Sequence, residues 1–184
     1  MKQLLLTVCF LTIGTTAIFA QKYMTRTGKI SFSATSPGSI EKIEGINNEV
    51  ATILDAKSGA LRFQVPIKSF KFQRELMQEH FNEDYMESDK YPKSDFAGTI
   101  TNLNDINFTK DGTYNAQVSG KLTIHNVTHD VNVPGAITVK GNTVMLKAKF
   151  TITLHDYNVE VAAAVADKVS KEAKLTIEGE LTQK

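Results

Sequence analysis

The chain's four histidines and its scattered carboxylates are the residue types that suit metal binding or proton transfer. His125 and His129 are four positions apart, but they fall in a segment with the pattern of a strand. Four residues of a strand span roughly 13 Å, which is too far for one ion. His155 falls at a turn on another strand, and His80 falls on a helix. The spacing therefore predicts no metal site.

Motifs for nucleophilic or phosphate chemistry are missing from the sequence. It has no Gly-x-Ser-x-Gly elbow and no glycine-rich phosphate loop, and its one cysteine is Cys9. The acidic residues Glu83, Asp84, Glu87 and Asp89 are typical of a solvated helix face. We therefore predict a protein that is not an enzyme and has no resident cofactor.

Three polar residues near the predicted helix have alternative interpretations. His80 either holds a backbone carbonyl between helix and sheet, which we favour, or hydrogen-bonds the head group of a ligand. Arg74 and Lys71 flank the start of the helix, where they either remain solvated or meet an anionic or phenolic head group. The sequence alone does not decide between these readings.

Charge and composition exclude one large class of partner. The formal net charge is +1 and lysines and glutamates are scattered, so no basic surface indicates nucleic-acid binding. Cys9 lies in the N-terminal segment, so no disulfide is expected in the remainder. The length of 184 residues suits one domain.

The N-terminal segment has the pattern of an export signal. Lys2 precedes an uncharged apolar stretch at 4–19, and Ala20 offers a small residue for cleavage. We predict a secretory signal peptide at 1–20 and one domain at 21–184, with a retained anchor as the weaker alternative. The expected location is the periplasm or the exterior, without stable membrane insertion after cleavage.

Most of the remaining chain alternates apolar and polar residues with the period of an antiparallel strand. Short strands are expected at 29–34, 49–54, 96–103, 127–133 and 136–139, between longer runs, with turns at 57–59, 110–112, 125–126 and 140–142. About eight or nine strands joined by hairpins favour a closed antiparallel barrel, because closure removes exposed edges. The longer alternating runs begin at Leu61, Tyr114, Val144 and Leu175.

One segment departs from the strand pattern. Between Phe70 and Phe96, apolar residues recur at three- and four-residue spacing, which predicts an amphipathic helix from about Gln73 to Glu87. A second, shorter helix is predicted at 161–169. Both interrupt a sheet, so we expect them to cover the mouth of the barrel.

The chain resembles the YceI-like family of exported bacterial proteins. The resemblance is carried by LMQEHFNEDYMESDKYPKSDFAGTI (76–100), GKLTIHNVTHDVNVP (120–134), FTITLHDYNV (150–159) and KLTIEGEL (174–181). It implies an eight-stranded lipocalin-like barrel that binds polyisoprenoids and related amphiphilic lipids. It covers nearly all of the chain after residue 20.

A lipid site is predicted on the inward face of the barrel and on the helix. Aromatic and flexible apolar side chains there would surround an apolar chain, although the same residues would equally fill the barrel. The predicted lipid-binding residues are Phe32, Phe63, Val65, Phe70, Phe72, Met77, His80, Phe81, Tyr85, Met86, Phe96, Ile100 and Phe150.

The sequence therefore predicts a protein that carries or sequesters a polyisoprenoid, an isoprenoid quinone or a similar amphiphilic lipid in the cell envelope. The alternative is a barrel without ligand that acts as an envelope stress or interaction module through its surface. A homodimer is left open.

Overall fold

The computed structural model describes residues 21–184, and the predicted signal peptide at 1–20 lies outside them. Each of its strands pairs antiparallel with its neighbours in chain order, and the last pairs with the first, which closes a barrel. The strands are β1 (Lys22–Thr35), β2 (Glu44–Asp55), β3 (Ala60–Pro66), β4 (Lys93–Ile100), β5 (Gly112–Ile124), β6 (Val127–Lys140), β7 (Thr143–Thr153) and β8 (Val169–Gln183). The predicted eight-stranded all-β barrel is confirmed.

Several strands run further than their apolar alternation suggests. β1 and β2 extend beyond the predicted 29–34 and 49–54, and the predicted strands at 127–133 and 136–139 are one strand, β6. β6 passes through Pro134 without a break because its ladder with β7 begins only at Gly135, so no N–H toward β7 is needed at 134. The strand predicted at 96–103 is β4 and ends at Ile100.

The predicted amphipathic helix is present but shorter than expected. Helix α1 (Glu75–His80) continues as one π-type turn (Phe81–Tyr85), in which Met86 N donates to Phe81 O at 3.0 Å. The helix ends where Glu87 adopts a left-handed φ of 40° and Ser88 N turns back to Asn82 O. The predicted bounds of about Gln73 to Glu87 are therefore too wide.

The second, shorter helix predicted at 161–169 is present only as a 3₁₀ turn, so its predicted bounds are too wide. The segment forms one 3₁₀ turn (Ala163–Val165), and β8 begins at Val169. After this turn the segment also bonds to the loop that follows β1, because Ser36 donates through Oγ to Ala166 O and through N to Lys168 O. The predicted turn at 125–126 is confirmed, with φ of 48° and 62° as a two-residue hairpin requires.

The interior of the barrel is divided into two halves. At the end opposite α1, buried side chains from all the strands meet across the axis, including Tyr23, Leu54 and Leu181, and Tyr23 stacks on Phe108 at 6.0 Å. At the end covered by α1, here called the mouth, the inward residues surround open space. From the sequence, the barrel could be either filled by side chains or hollow. In the structure one half of the barrel is filled and the other half surrounds a cavity.

Within residues 21–184, no helix has the length and apolar character needed to cross a bilayer.

Candidate functional site

A cavity of about 750 Å³ occupies the mouth half of the barrel. Its wall is made by the inward faces of the strands, its cover by α1, and part of its rim by the segment between β7 and β8. All but one of the predicted lipid-binding residues line it; these are Phe32, Phe63, Val65, Phe70, Phe72, Met77, His80, Phe81, Tyr85, Met86, Phe96 and Phe150. Their binding of lipid stays a prediction.

Ile100 does not line the cavity. It is 3 % exposed and belongs to the packed half, with Leu61 and Ile106 in the same cluster. Ile100 shares an inward face with Phe96, but four residues of strand displace it by roughly 13 Å along the barrel. The alternation therefore predicts correctly that the Ile100 side chain points inward, but it does not predict its position along the barrel axis.

Four phenylalanine rings form one cluster under the helix. Phe81 from the π-type turn stacks on Phe32 of β1 at 5.4 Å and meets Phe70 and Phe72 at 5.3 and 4.9 Å. Gly45 of β2 makes room for it, because a β-carbon there would lie 2.6 Å from Cε1 of Phe32. These edge-to-face and offset contacts join the helix to the wall without filling the cavity.

The helix presents its predicted face to the cavity. Leu76, Met77, His80, Phe81, Asp84 and Tyr85, which recur at three- and four-residue spacing, all line it. Each has partial solvent exposure, and Leu76 is mostly exposed. The face of the helix that lines the cavity is therefore only partly withdrawn from water.

His80 does not hold a backbone carbonyl between helix and barrel. Its Nδ1 lies 2.6 Å from Asp84 Oδ2, one turn along the same helix, so the favoured reading is wrong. The reading in which His80 meets a ligand head group stays a prediction, since the side chain lines the cavity.

Three charged side chains from different segments meet at the rim. Glu41, after β1, accepts from Arg74 at 2.6 Å and pairs with Lys168, before β8, at 3.4 Å. Arg74 was singled out from the sequence, but Glu41 and Lys168 were not, because only the closure of β1 against β8 brings them together. The backbone of Lys71 pairs with Ile46 in both directions, and a contact of its side chain with a head group stays a prediction.

His125 joins three segments at the mouth. Its Nε2 donates to Glu87 Oε2 at 2.9 Å, and its Nδ1 donates to Asn158 O at 3.1 Å. The rings of Tyr91 and His125 pack edge to face, with 4.7 Å between their centroids. From the sequence, His125 was a rejected metal ligand and a turn residue, and neither role predicts these bonds.

Tyr157 closes the wall beside His129. It lies in a 3₁₀ turn (His155–Tyr157), is 3 % exposed, and its ring meets the His129 ring edge-on at 5.1 Å. Burial raises the pKa of its phenol, and the neighbouring Asp156 carboxylate raises it further. His129 Nε2 also donates to Asp156 O at 2.7 Å.

No group of three metal-ligating side chains occurs in the part of the chain that the structure describes. The four histidines each bond a carboxylate or a backbone carbonyl instead.

Comparison with known proteins follows this geometry. A family model for the YceI-like domain matches residues 22–181. No curated protein matches the chain. Among solved structures, a polyisoprenoid-binding domain from Saccharophagus degradans, implicated in plant cell wall breakdown, aligns with a TM-score of 0.76 at 11% identity, covering 90% of this chain and 99% of that one.

Two further structures have the same fold. BcnA from Burkholderia cenocepacia aligns with a TM-score of 0.67 at 19% identity, over 84% of this chain and 96% of its own. The YCEI protein of Campylobacter jejuni aligns with a TM-score of 0.61 at 17% identity, over 81% of this chain and 90% of its own.

Proposed function

The chain belongs to the YceI-like family, and from that premise we propose that its barrel binds a long apolar amphiphile in the cavity beneath α1. The ligand class is a polyisoprenoid, an isoprenoid quinone or a similar lipid. The protein carries or sequesters this lipid in the cell envelope after export. The observation that carries the proposal is the 750 Å³ cavity itself, in a barrel whose other half is solidly packed.

The distribution of polarity in the cavity suits an amphiphile. The inner wall is built from phenylalanine, valine, isoleucine and leucine, whereas Glu41, Arg74 and Lys168 meet at the rim. An apolar chain inside would leave water with a gain of about 25 cal/mol per Å² of buried area. A polar head would stay at the rim, where charged groups are already solvated.

The shape of the cavity also suits a branched chain. Phe32, Phe70, Phe72 and Phe81 present ring edges and faces in several orientations, between which methyl branches pack closely. Met77 and Met86 add flexible surface that adapts to the ligand. The description of the Saccharophagus degradans domain as polyisoprenoid-binding supports the same ligand class.

The proposal is tested by native mass spectrometry of residues 21–184, followed by solvent extraction and identification of the released molecules. We expect a prenyl lipid or quinone at one per protein, either as purified or after incubation with such lipids. A mass that remains ligand-free after incubation with quinones and polyprenyl lipids would contradict it and favour a surface-acting envelope module.

Location is tested separately. We expect the full chain to be recovered outside the cytoplasm in a processed form, and a chain lacking residues 1–20 to stay inside. Recovery of the unprocessed full chain in the cytoplasm would contradict the envelope assignment.

A further inference from the structure

Two neighbouring strands of the wall separate on their way to the mouth. β6 and β7 are paired from Lys140↔Thr143 only as far as Gly135↔Ala148. Beyond that pair, β6 continues to Val127 bonded to β5, and β7 continues to Thr153 bonded to β8. We call the space between 130–134 and 149–153 the β6–β7 opening; the five residues on the β7 side span roughly 17 Å.

A second separation in the same barrel is closed differently. β2 and β3 are paired only between Ala51↔Gln64 and Leu54↔Leu61. There the backbone of Lys71 exchanges two hydrogen bonds with Ile46, and Asn47 Nδ2 donates to Pro66 O at 2.7 Å. Asn47 is fully buried, so this gap is sealed by main chain and a buried amide.

The β6–β7 opening has no such main-chain seal. It is bridged near the mouth by segment 154–159, which contacts β6 through His129 Nε2 to Asp156 O, and the tip of the β5–β6 hairpin through His125 Nδ1 to Asn158 O. Both links are single side-chain bonds, and Asn158 holds a left-handed φ of 56°. A bridge of this kind opens at much lower cost than a strand ladder.

The cavity reaches the opening from inside. Its lining includes the last two ladder pairs before the opening, Gly135↔Ala148 and Ala136↔Lys147. Beyond them, the flanks carry the partly exposed apolar residues Val131, Phe150 and Ile152. Segment 154–159 lines the cavity too, through Leu154, Tyr157 and Val159.

We propose that the β6–β7 opening is a side entrance to the cavity, through which the apolar chain of an amphiphilic lipid passes, and that segment 154–159 is its gate. The inference rests on the proposed function for the identity of the molecule. Tyr157 closes the opening, and the His129 bond to Asp156 O holds the segment shut. The ligand therefore enters sideways between two strands, and α1 stays in place above it.

The first experiment cross-links the opening. The ladder register, continued three positions past its last pair, sets Asn132 against Thr151 across the opening. Cys9 is the only cysteine in the sequence. In residues 21–184 carrying N132C and T151C, a short bis-maleimide joins the two strands. The control pair, T138C with M145C, lies on the same strands where they are already paired.

Uptake of cis-parinaric acid is followed by stopped-flow fluorescence before and after cross-linking. We expect the 132–151 link to slow uptake and release roughly tenfold or more, as a blocked gate does, with the control pair unchanged. Equal rates in the two cross-linked proteins would overturn the side entrance.

The second experiment needs no lipid, so its result is independent of the proposed function. A single cysteine at Ile152, inside the opening, is labelled with a bulky pyrene maleimide. H129A removes the bond to Asp156 O, and we expect labelling to accelerate roughly fivefold, the effect of about one net hydrogen bond.

The matched control is H155A in the same segment, since His155 bonds Glu160 and makes no link to β6. Its labelling rate should equal that of the parent protein. A rate in H129A no higher than in H155A would overturn the gate.

Discussion

His125 donates a hydrogen bond from Nε2 to Oε2 of Glu87 at 2.9 Å, and this bond joins the tip of the β5–β6 hairpin to the residue that ends the helical cover. The imidazole side chain is 10 % exposed, whereas the Glu87 side chain is 43 % exposed. The cover of the cavity is therefore anchored at its C-terminal end by a nearly buried side chain of the wall.

Replacing His125 is expected to loosen this anchor. H125A should lower the free energy of unfolding by about 1–2 kcal/mol, because it removes one bond to a carboxylate and one to Asn158 O. Urea denaturation measures the change. H80A is the matched control, since the His80–Asp84 pair is exposed within one helix and should contribute less than about 0.5 kcal/mol. A loss in H80A equal to that in H125A would contradict the anchor.

The two halves of the barrel should respond oppositely to truncation. F81A removes a ring that lines the cavity, and we expect retention of a bound prenyl lipid to fall by about tenfold or more with a smaller loss of stability. I100A removes bulk from the packed half and should cost about 2–5 kcal/mol of stability with lipid affinity unchanged. Titration and urea denaturation of both variants provide the comparison. Equal losses of both kinds in F81A would make Phe81 ordinary core.

Met77 offers a milder version of the same test. M77A should weaken lipid retention with little effect on unfolding, because the side chain lines the cavity but is only partly buried. An unchanged lipid affinity in M77A would show that Met77 of the helix does not contribute to the binding surface.

Any side chain at Gly120 is expected to destabilise the barrel. A β-carbon there would lie 2.5 Å from Gly98 Cα and 2.6 Å from Ala97 O, both backbone atoms of β4 that cannot move independently. G120A should therefore cost roughly 1–3 kcal/mol in urea denaturation. In G179A the new atom would meet only Leu181 Cδ1 at 3.2 Å, which can rotate away, so that loss should be clearly smaller. The reverse order would contradict this explanation.

Asp55 should give the protein part of its acid sensitivity. The backbone N–H of Ser58, followed in effect by that of Lys57, holds the pKa of this carboxyl below its usual range. A lowered folded-state pKa stabilises the protein above the unfolded-state value and ceases to do so as pH falls through the folded-state value. D55A should thus lower the free energy of unfolding at pH 7, with the difference from the parent shrinking below about pH 4.

The unfolding free energies of D55A and the parent are compared between pH 7 and pH 3. A difference that stays constant over that range would show that the charge of Asp55 is unimportant.

The inward face of the barrel could be predicted from sequence because a strand alternates with a fixed period. Phe63, Val65 and Phe150 are found where alternation puts them, on the cavity wall. Depth along the barrel could not be predicted, since alternation carries no information on the stagger between strands. Ile100 therefore fell in the wrong half.

The contacts between the gate residues had no signal in the sequence. The contact of His129 with Tyr157 and Asp156 exists because β6 and β7 part at Gly135, and the position of that parting depends on pairing register across the sheet. The short helix has a local cause instead. Asn82 Nδ2 donates to Gln78 O at 2.8 Å, a competing side-chain bond within the π-type turn that a helical periodicity does not show.

Barrel closure has a consequence for how the chain folds. The pairing of β1 with β8 joins Tyr23 to Gln183, nearly the full span of the described chain, whereas every other ladder is between consecutive strands. Such a contact raises the contact order and is expected to form late and slowly. Until it forms, the sheet has two free edges and the molecule has no interior. A ligand can thus be enclosed only after β8 has paired with β1.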